Sequence, residues 1–303
     1  MDQIRKAVER AKGPATSDPP IRQSGQAAAQ QNNRASPKDS VYGVEIALNR
    51  AYLENRRIIA HDIADPRSKS FDMLRTQVLQ SMDAQSWQVL GVTSPTEACG
   101  KSVVATNLAL SIARQPGRSV LLIDMDLQKP QIARNLGLKC DRGLMSLLAG
   151  RTSLPTSLFQ TYVRSERLLV LPCEASTQHS SEWISSRPMS AVLHEIKRDF
   201  RAWTVIVDLP PILPSDDVIS ILPQLDCVLF VVAAGTTTTQ EIKECNKHLA
   251  STDVVRVVLN KSEDTTSTYY AYSRYGQMPD QVSQKSKASP LKRMSQLFAR
   301  PKR

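Results

Sequence analysis

Glycine is scarce in this chain, 11 of 303 residues, and so are aromatics at 5%, histidine at four and cysteine at five. The cysteines, Cys99, Cys140, Cys173, Cys227 and Cys245, are odd in number and form no C-x-x-C pair. That excludes a disulfide framework and a zinc ribbon. The histidines, His61, His179, His194 and His248, lie far apart in the sequence and suggest no metal cluster. No apolar run approaches the ~18 residues of a membrane helix; the longest, Cys227–Ala234, has the length of a buried strand. The first residues, MDQIRKAVERAKG, carry charges where a secretory signal has its apolar stretch, so a cytoplasmic protein is expected.

Acidic charge is also in deficit, 29 residues against 39 basic, for a net charge of +10. The excess sits at the ends: residues 1–40 carry +3 and residues 277–303 carry +6, leaving +1 for residues 41–276. A basic end invites nucleic acid or a membrane surface. No base-reading motif and no basic patch interleaved with aromatics accompanies it, so nucleic acid is not expected as a partner. Peripheral contact with a membrane stays open.

Three regions follow from composition. Residues 1–40 hold a short amphipathic pattern (Ile4, Val8, Ala11) and then a Pro, Ser, Gln and Asn-rich stretch that reads as a disordered linker. Residues 277–303 read as a basic, flexible tail. Between them, residues 41–276 alternate short apolar runs with helical patterns. The strand candidates are Gln88–Thr93, Ser119–Asp124, Leu168–Pro172, Thr204–Asp208, Cys227–Val232 and Val254–Asn260, and a helix over 69–82 precedes the first of them. Such alternation predicts an α/β fold, a mostly parallel sheet with helices on both faces. Ligands of such folds bind beyond the carboxyl ends of the strands.

One of those ends is distinctive. Ser94-Pro-Thr96-Glu97-Ala98-Cys99-Gly100-Lys101-Ser102-Val103 joins a predicted strand to a predicted helix. A Walker A loop needs this context: backbone N–H groups from Thr96 to Val103 and the helix N-terminus cradle phosphates, Lys101 reaches the outer phosphates, and Ser102 ligates Mg²⁺. The first glycine of the usual pattern is replaced by Pro95. A G-K-S tripeptide alone is weak, since an ordinary helix start can carry it. Two further strand ends strengthen it: Asp124-Met-Asp126 after one strand, and Asp208 after Val205-Ile-Val, in the manner of a Walker B aspartate. Three carboxylates and a G-K-S at three strand ends predict a Mg-nucleotide site for phosphoryl transfer or hydrolysis.

In order and spacing these blocks, from SPTEACGKSVVATNLALSIA through VLLIDMDLQKPQIARNLGL and WTVIVDLPPILPSDD to the tyrosine-rich YYAYSRYG, resemble the bacterial tyrosine kinases. Those kinases belong to the deviant Walker P-loop superfamily of the ParA and MinD ATPases. The chain is most similar to the CpsD/CapB-like cytoplasmic autokinases of capsule and exopolysaccharide biosynthesis. The resemblance implies ATP and Mg²⁺, with Lys101 and Ser102 on the phosphates and metal. It implies Asp124 as the base that takes the tyrosine proton, Asp126 and Asp208 as organisers of the metal, and Asn260 as a contact to adenine. It further implies a membrane copolymerase or chain-length protein as activator, recruitment to the inner membrane, and autophosphorylation in trans between copies.

Tyr269, Tyr270, Tyr272 and Tyr275 are four of seven tyrosines in the chain, and they lack the apolar neighbours of a buried strand. They read as phosphoacceptors. Each phosphate adds about −1.5 to −2 charge beside the +6 tail, an electrostatic switch in outline. Several positions depart from the family. Thr96 stands where ParA and MinD ATPases carry a signature lysine, which weakens the reading as a regulatory ATPase without kinase activity. Lys69, Asp72 and Arg75 occupy the E-x-x-R-x-x-R positions that assemble a ring in the family, and only the last matches. Gln128 replaces a common arginine. Cys99 is either a reactive thiol at a helix N-terminus or a small side chain filling the loop. A nucleotide-dependent scaffold for the membrane partner is the remaining alternative.

Overall fold

The computed structural model describes residues 43–163 and 166–262. The expectations for the amphipathic segment, the linker, the tyrosine cluster and the basic tail lie outside the described residues.

Eight strands form one sheet: β1 (Val44–Glu45), β2 (Val89–Thr93), β3 (Val120–Asp124), β4 (Phe159–Val163), β5 (Glu166–Leu171), β6 (Thr204–Asp208), β7 (Cys227–Ala233) and β8 (Val254–Asn260). Their order is β1-β4-β5-β3-β6-β2-β7-β8, and every neighbouring pair is parallel except β4 with β5. All six predicted strands are present within two residues of the expected bounds, and the predicted helix over 69–82 extends over Ser68–Gln85. β1 and β4 are additions that the pattern did not reveal.

Burial on both faces explains the continuous apolar runs. Because side chains alternate across a strand, Val228, Phe230 and Val232 of β7 enter one core, while Cys227, Leu229 and Val231 enter the other. β6 divides the same way, Val205 and Val207 against Ile206. The helices Ser68–Gln85 and Lys101–Ala113 cover one face, and Arg187–Asp199 and Thr239–His248 cover the other. Within Lys101–Ala113 only Val103 escapes burial, since this helix lies between the sheet and Ser68–Gln85.

Two polar anchors fix the approach to this layer. Asn107, fully buried on Lys101–Ala113, accepts the backbone N–H of Ile59 and Ala60 at 2.8 and 2.9 Å through Oδ1. Its Nδ2 donates to the carbonyls of Arg57 and Val103. Tyr52 Oη donates to the Arg134 carbonyl. The segment ahead of Ser68 is therefore stitched onto the helix Lys101–Ala113 by Asn107 and onto the helix Ile132–Leu136 by Tyr52.

The order of the strands sets up the site. β6 lies between β2 and β3, although β2, the helix Lys101–Ala113 and β3 are consecutive in sequence. The register pairs Asp124 with Asp208 and Val92 with Asp208. Three chemically distinct strand ends are thereby brought side by side at one edge of the sheet.

Candidate active site

β2 ends at Thr93, and the chain turns through Ser94–Gly100 into the helix that starts at Lys101. The turn needs two left-handed residues, Ala98 at φ 59° and Gly100 at φ 91°. Gly100 suits this; Ala98 adopts it at a cost of roughly 1–2 kcal/mol. Ser94 Oγ donates to the Thr96 carbonyl inside the loop. The segment after β6 braces it from outside: Ile212 and Leu213 donate backbone N–H to the carbonyls of Ser94 and Pro95, and Thr93 Oγ1 donates to the Pro210 carbonyl. Pro210 and Pro211 accordingly form one wall of a cleft of about 290 Å³ whose floor is Gly100, Lys101 and Ser102.

Lys101 is buried and donates to Asp126 Oδ2 at 2.7 Å and to Ser102 Oγ at 3.2 Å. Its Nζ also lies 3.6 Å from Asp208 Oδ1. Burial works against the ammonium, but Asp208 and Asp126 outweigh it and raise the Lys101 pKa above the ordinary lysine value. Asp208 is fully buried, and among the described residues neither of its carboxylate oxygens has a hydrogen-bond partner of good geometry, Lys101 and Ser102 being the groups that face it. Burial pushes its pKa up to about 6 against the pull of Lys101.

Asp124 stands differently. It is fully buried, its Oδ2 accepts the backbone N–H of Gln131 and Ile132, both at 2.9 Å, and its Oδ1 accepts that of Asp126. Burial, reinforced by the charge of Asp208, raises its pKa well above the carboxylate range. In this conformation Asp124 holds the loop that follows β3, and Asp126 is the carboxylate of that loop that lines the cleft.

The remaining predicted residues divide by position. Glu97, Ala98 and Val103 line the cleft; Thr96, Cys99 and Asn260 stand behind the loop. Cys99 is 1% exposed, with Sγ 3.7 Å from Thr96 Oγ1 and 3.6 Å from Thr237 Oγ1, so it fills the loop. Asn260 Nδ2 donates to the Cys99 carbonyl at 2.9 Å. Gln128, at the position of the expected arginine, donates to Ser180 Oγ and Asp217 Oδ2.

Sequence reasoning missed several cleft residues, among them Lys129, Gln131, Asn135, Pro214 and Ser215. Lys129 is the most consequential: its Nζ lies 2.6 Å from both oxygens of Glu97, linking the loops after β3 and β2 across the mouth of the cleft. A basic residue three places after Asp126 was the available signal.

Among the described residues no group of three or more His, Cys, Asp or Glu side chains is arranged to hold a metal ion. Mg²⁺ does not require one. It keeps several waters and is held by one or two carboxylates together with substrate phosphates. The unspent oxygens of buried Asp208, with Ser102 Oγ and Asp126 beside them, fit that demand.

Comparison with known proteins agrees with this geometry. Residues 90–285 match the CobQ/CobB/MinD/ParA nucleotide binding domain. The putative tyrosine-protein kinase EpsB of Ralstonia solanacearum is 31% identical over 214 residues, 70% of this chain but only 28% of EpsB. The putative tyrosine-protein kinase CapB of Staphylococcus aureus is 30% identical over 215 residues, 69% of this chain and 90% of CapB. Among solved structures, the chimerical protein CapA2B2 superposes with a TM-score of 0.62 at 25% identity, covering 73% of this chain and 93% of that one. The chain belongs to the CobQ/CobB/MinD/ParA nucleotide-binding domain family and, within it, to the bacterial tyrosine-kinase group of CapB and EpsB.

Proposed function

We propose that this protein is an ATP-dependent tyrosine autokinase that phosphorylates Tyr269, Tyr270, Tyr272 and Tyr275 of a second copy. Through them it regulates the synthesis or export of a capsular or exopolysaccharide polymer. The observation that supports it most is the meeting of Lys101, Ser102, Asp126 and Asp208 at three adjacent strand ends, with the oxygens of a buried carboxylate left unspent.

Phosphoryl transfer asks for alignment and charge neutralisation more than covalent chemistry. The backbone N–H groups of the loop and the N-terminus of the helix Lys101–Ala113 receive the phosphates. Lys101 leaves Asp126 to reach the outer phosphates, and Ser102, Asp126 and Asp208 hold the metal. Mg²⁺, when bound, neutralises charge on the transferring group. The Pro210–Pro211 wall and the Lys129–Glu97 link border the opening through which a tyrosine side chain enters. Asp124 serves as proton acceptor once the amides of Gln131 and Ile132 move off its Oδ2; until then it positions the loop. The activator is a membrane copolymerase or chain-length protein, which recruits a cytoplasmic kinase to the inner membrane. No helix among the described residues is long and apolar enough to cross a membrane.

The test is incubation with labelled ATP, alone and with the cytoplasmic segment of a membrane activator. Wild type is compared with Lys101→Met and with all four cluster tyrosines changed to phenylalanine. Label lost in both variants supports the kinase. Phosphate release without wild-type label supports a regulatory ATPase, and no turnover with retained nucleotide binding supports a scaffold.

A further inference from the structure

We infer that Asn260 is a positioning residue of the phosphate loop, acting on the triphosphate of the nucleotide through the Cys99–Gly100 peptide. The inference rests on the nucleotide site proposed above and deepens it.

The loop cannot hold its shape by local preference alone. Ala98 and Gly100 are both left-handed, and Pro95 replaces the first glycine of the usual motif. A non-glycine residue in this region persists only where its surroundings over-determine it. The surroundings come from the ends of β7 and β8. Asn260 Nδ2 donates to the Cys99 carbonyl at 2.9 Å, a contact across 161 residues of sequence. The same nitrogen lies so close over Gly100 that a Cβ placed there would stand 2.3 Å from it. The amide therefore covers the residue that begins the phosphate-receiving helix.

Asn260 is itself anchored. It pairs with Ala233 in the β7–β8 register, and its carbonyl accepts the Ala234 N–H at 2.8 Å. Thr237 Oγ1 accepts the Ala233 N–H at 3.0 Å and lies 3.6 Å from Cys99 Sγ. Cys99 is thus gripped at its carbonyl by β8 and at its side chain by the turn after β7. Spending one of the two Nδ2 N–H groups of Asn260 on Cys99 orients the peptide whose following N–H groups face the phosphates.

Affinity for Mg·ATP and for Mg·tripolyphosphate, which has no base, separates a loop-positioning role from a contact to adenine alone. Titration calorimetry on wild type, Asn260→Ala and the isosteric Asn260→Asp should show both ligands weakened by the same factor. About tenfold is expected for alanine, as for the loss of one hydrogen bond, and more for aspartate, whose oxygen opposes the Cys99 carbonyl. The ligand-free variants should melt only slightly below wild type, as for the loss of one hydrogen bond, and stay folded throughout the titration. A loss confined to ATP, no loss with either ligand, or variants partly unfolded at the titration temperature overturns the inference. If wild type binds neither ligand, the nucleotide-site reading itself fails, which is a separate result.

Discussion

Replacing Lys101 with methionine keeps the length of the side chain and removes its charge, and in the ligand-free protein the first consequence is for folding. The ammonium stands 2.7 Å from Asp126 Oδ2 and 3.6 Å from Asp208 Oδ1, with its side chain 10% exposed. At an effective dielectric of about 20 those two attractions are worth about 6 and about 5 kcal/mol. Against them stand several kcal/mol for stripping the ammonium of water. Removing the lysine leaves Asp126 and Asp208 buried beside Asp124 without a cation. A buried pair broken from one side costs about 3–5 kcal/mol, and that is the expected loss in ΔG of unfolding at neutral pH. The penalty should depend on pH. Carboxyls left without their cation have folded pKa values above their unfolded ones, and in wild type burial already pushes Asp208 up to about 6. A group so shifted binds its proton more tightly in the folded state, so it favours folding at low pH and loses that contribution as pH rises through the folded pKa. The deficit of Lys101→Met should therefore be greatest above pH ~7 and shrink towards pH ~5. Adding Asp126→Asn to Lys101→Met should recover part of it. Denaturant melts at several pH values measure all of this. A variant within about 1 kcal/mol of wild type at pH ~8, or a deficit that does not change with pH, refutes the reasoning.

Three further outcomes are expected. Asp226 Oδ2 accepts the N–H of Gln88 and Val89, and its Oδ1 accepts from Lys197. Burial pushes its pKa up, but those two amides and Lys197 more than reverse this and hold it below the ordinary value. A depressed carboxyl stabilises the fold above its unfolded pKa and loses that contribution as pH falls through the folded one. Asp226→Ala should thus cost about 2–4 kcal/mol at neutral pH and flatten the acid limb of a stability profile. Asn107→Ala strips acceptors from Ile59 and Ala60 and should cost about 2–4 kcal/mol, with amide exchange at those two residues accelerated. Glu97→Gln should change stability by less than about 1 kcal/mol, because both ends of the Lys129–Glu97 link are more than half exposed. It should tighten nucleotide binding a few-fold at low salt by removing a carboxylate from the cleft mouth, and high salt should erase the gain.

The parts of the site legible in the sequence are those set by strand ends. Asp124, Asp126, Asp208 and the G-K-S turn each follow an apolar run, and in a parallel sheet such runs can only be central strands covered on both faces. β4 was hidden for the opposite reason. Its sequence is FQTYV, and Gln160 and Thr161, polar residues in the middle, are buried there. β1, two residues long, offers no period to read. The Lys129–Glu97 link and the Pro210–Pro211 wall depend on which loops the sheet order makes neighbours, and local pattern does not contain that order. Asn260 was legible as a strand-end residue, but its partner, a carbonyl 161 residues earlier, was not.

The helix Ser68–Gln85 shows how one acidic side chain, at a position where the family motif has arginine, turns a polar surface inward. Its Asp72 stands within the positions compared with the ring-forming motif of the family. Here its Oδ1 accepts from Ser111 Oγ at 2.7 Å, from Arg75 at 3.1 Å and from Arg114 Nη2. Arg75 also donates to the Ser111 carbonyl at 3.0 Å. Both residues are thus turned onto the helix Lys101–Ala113 within one copy. Arg114 is buried, and among the described residues its Nε and Nη1 have no hydrogen-bond partner and Asp72 alone receives a hydrogen bond from that guanidinium. Drawing Asp72 out to a neighbouring copy would leave a buried cation unpaired, at about 3–5 kcal/mol. A contact between exposed charges returns about 1 kcal/mol or less. The balance keeps Asp72 inside, so the proposed trans-phosphorylation would bring two copies together through a surface that does not draw on Asp72.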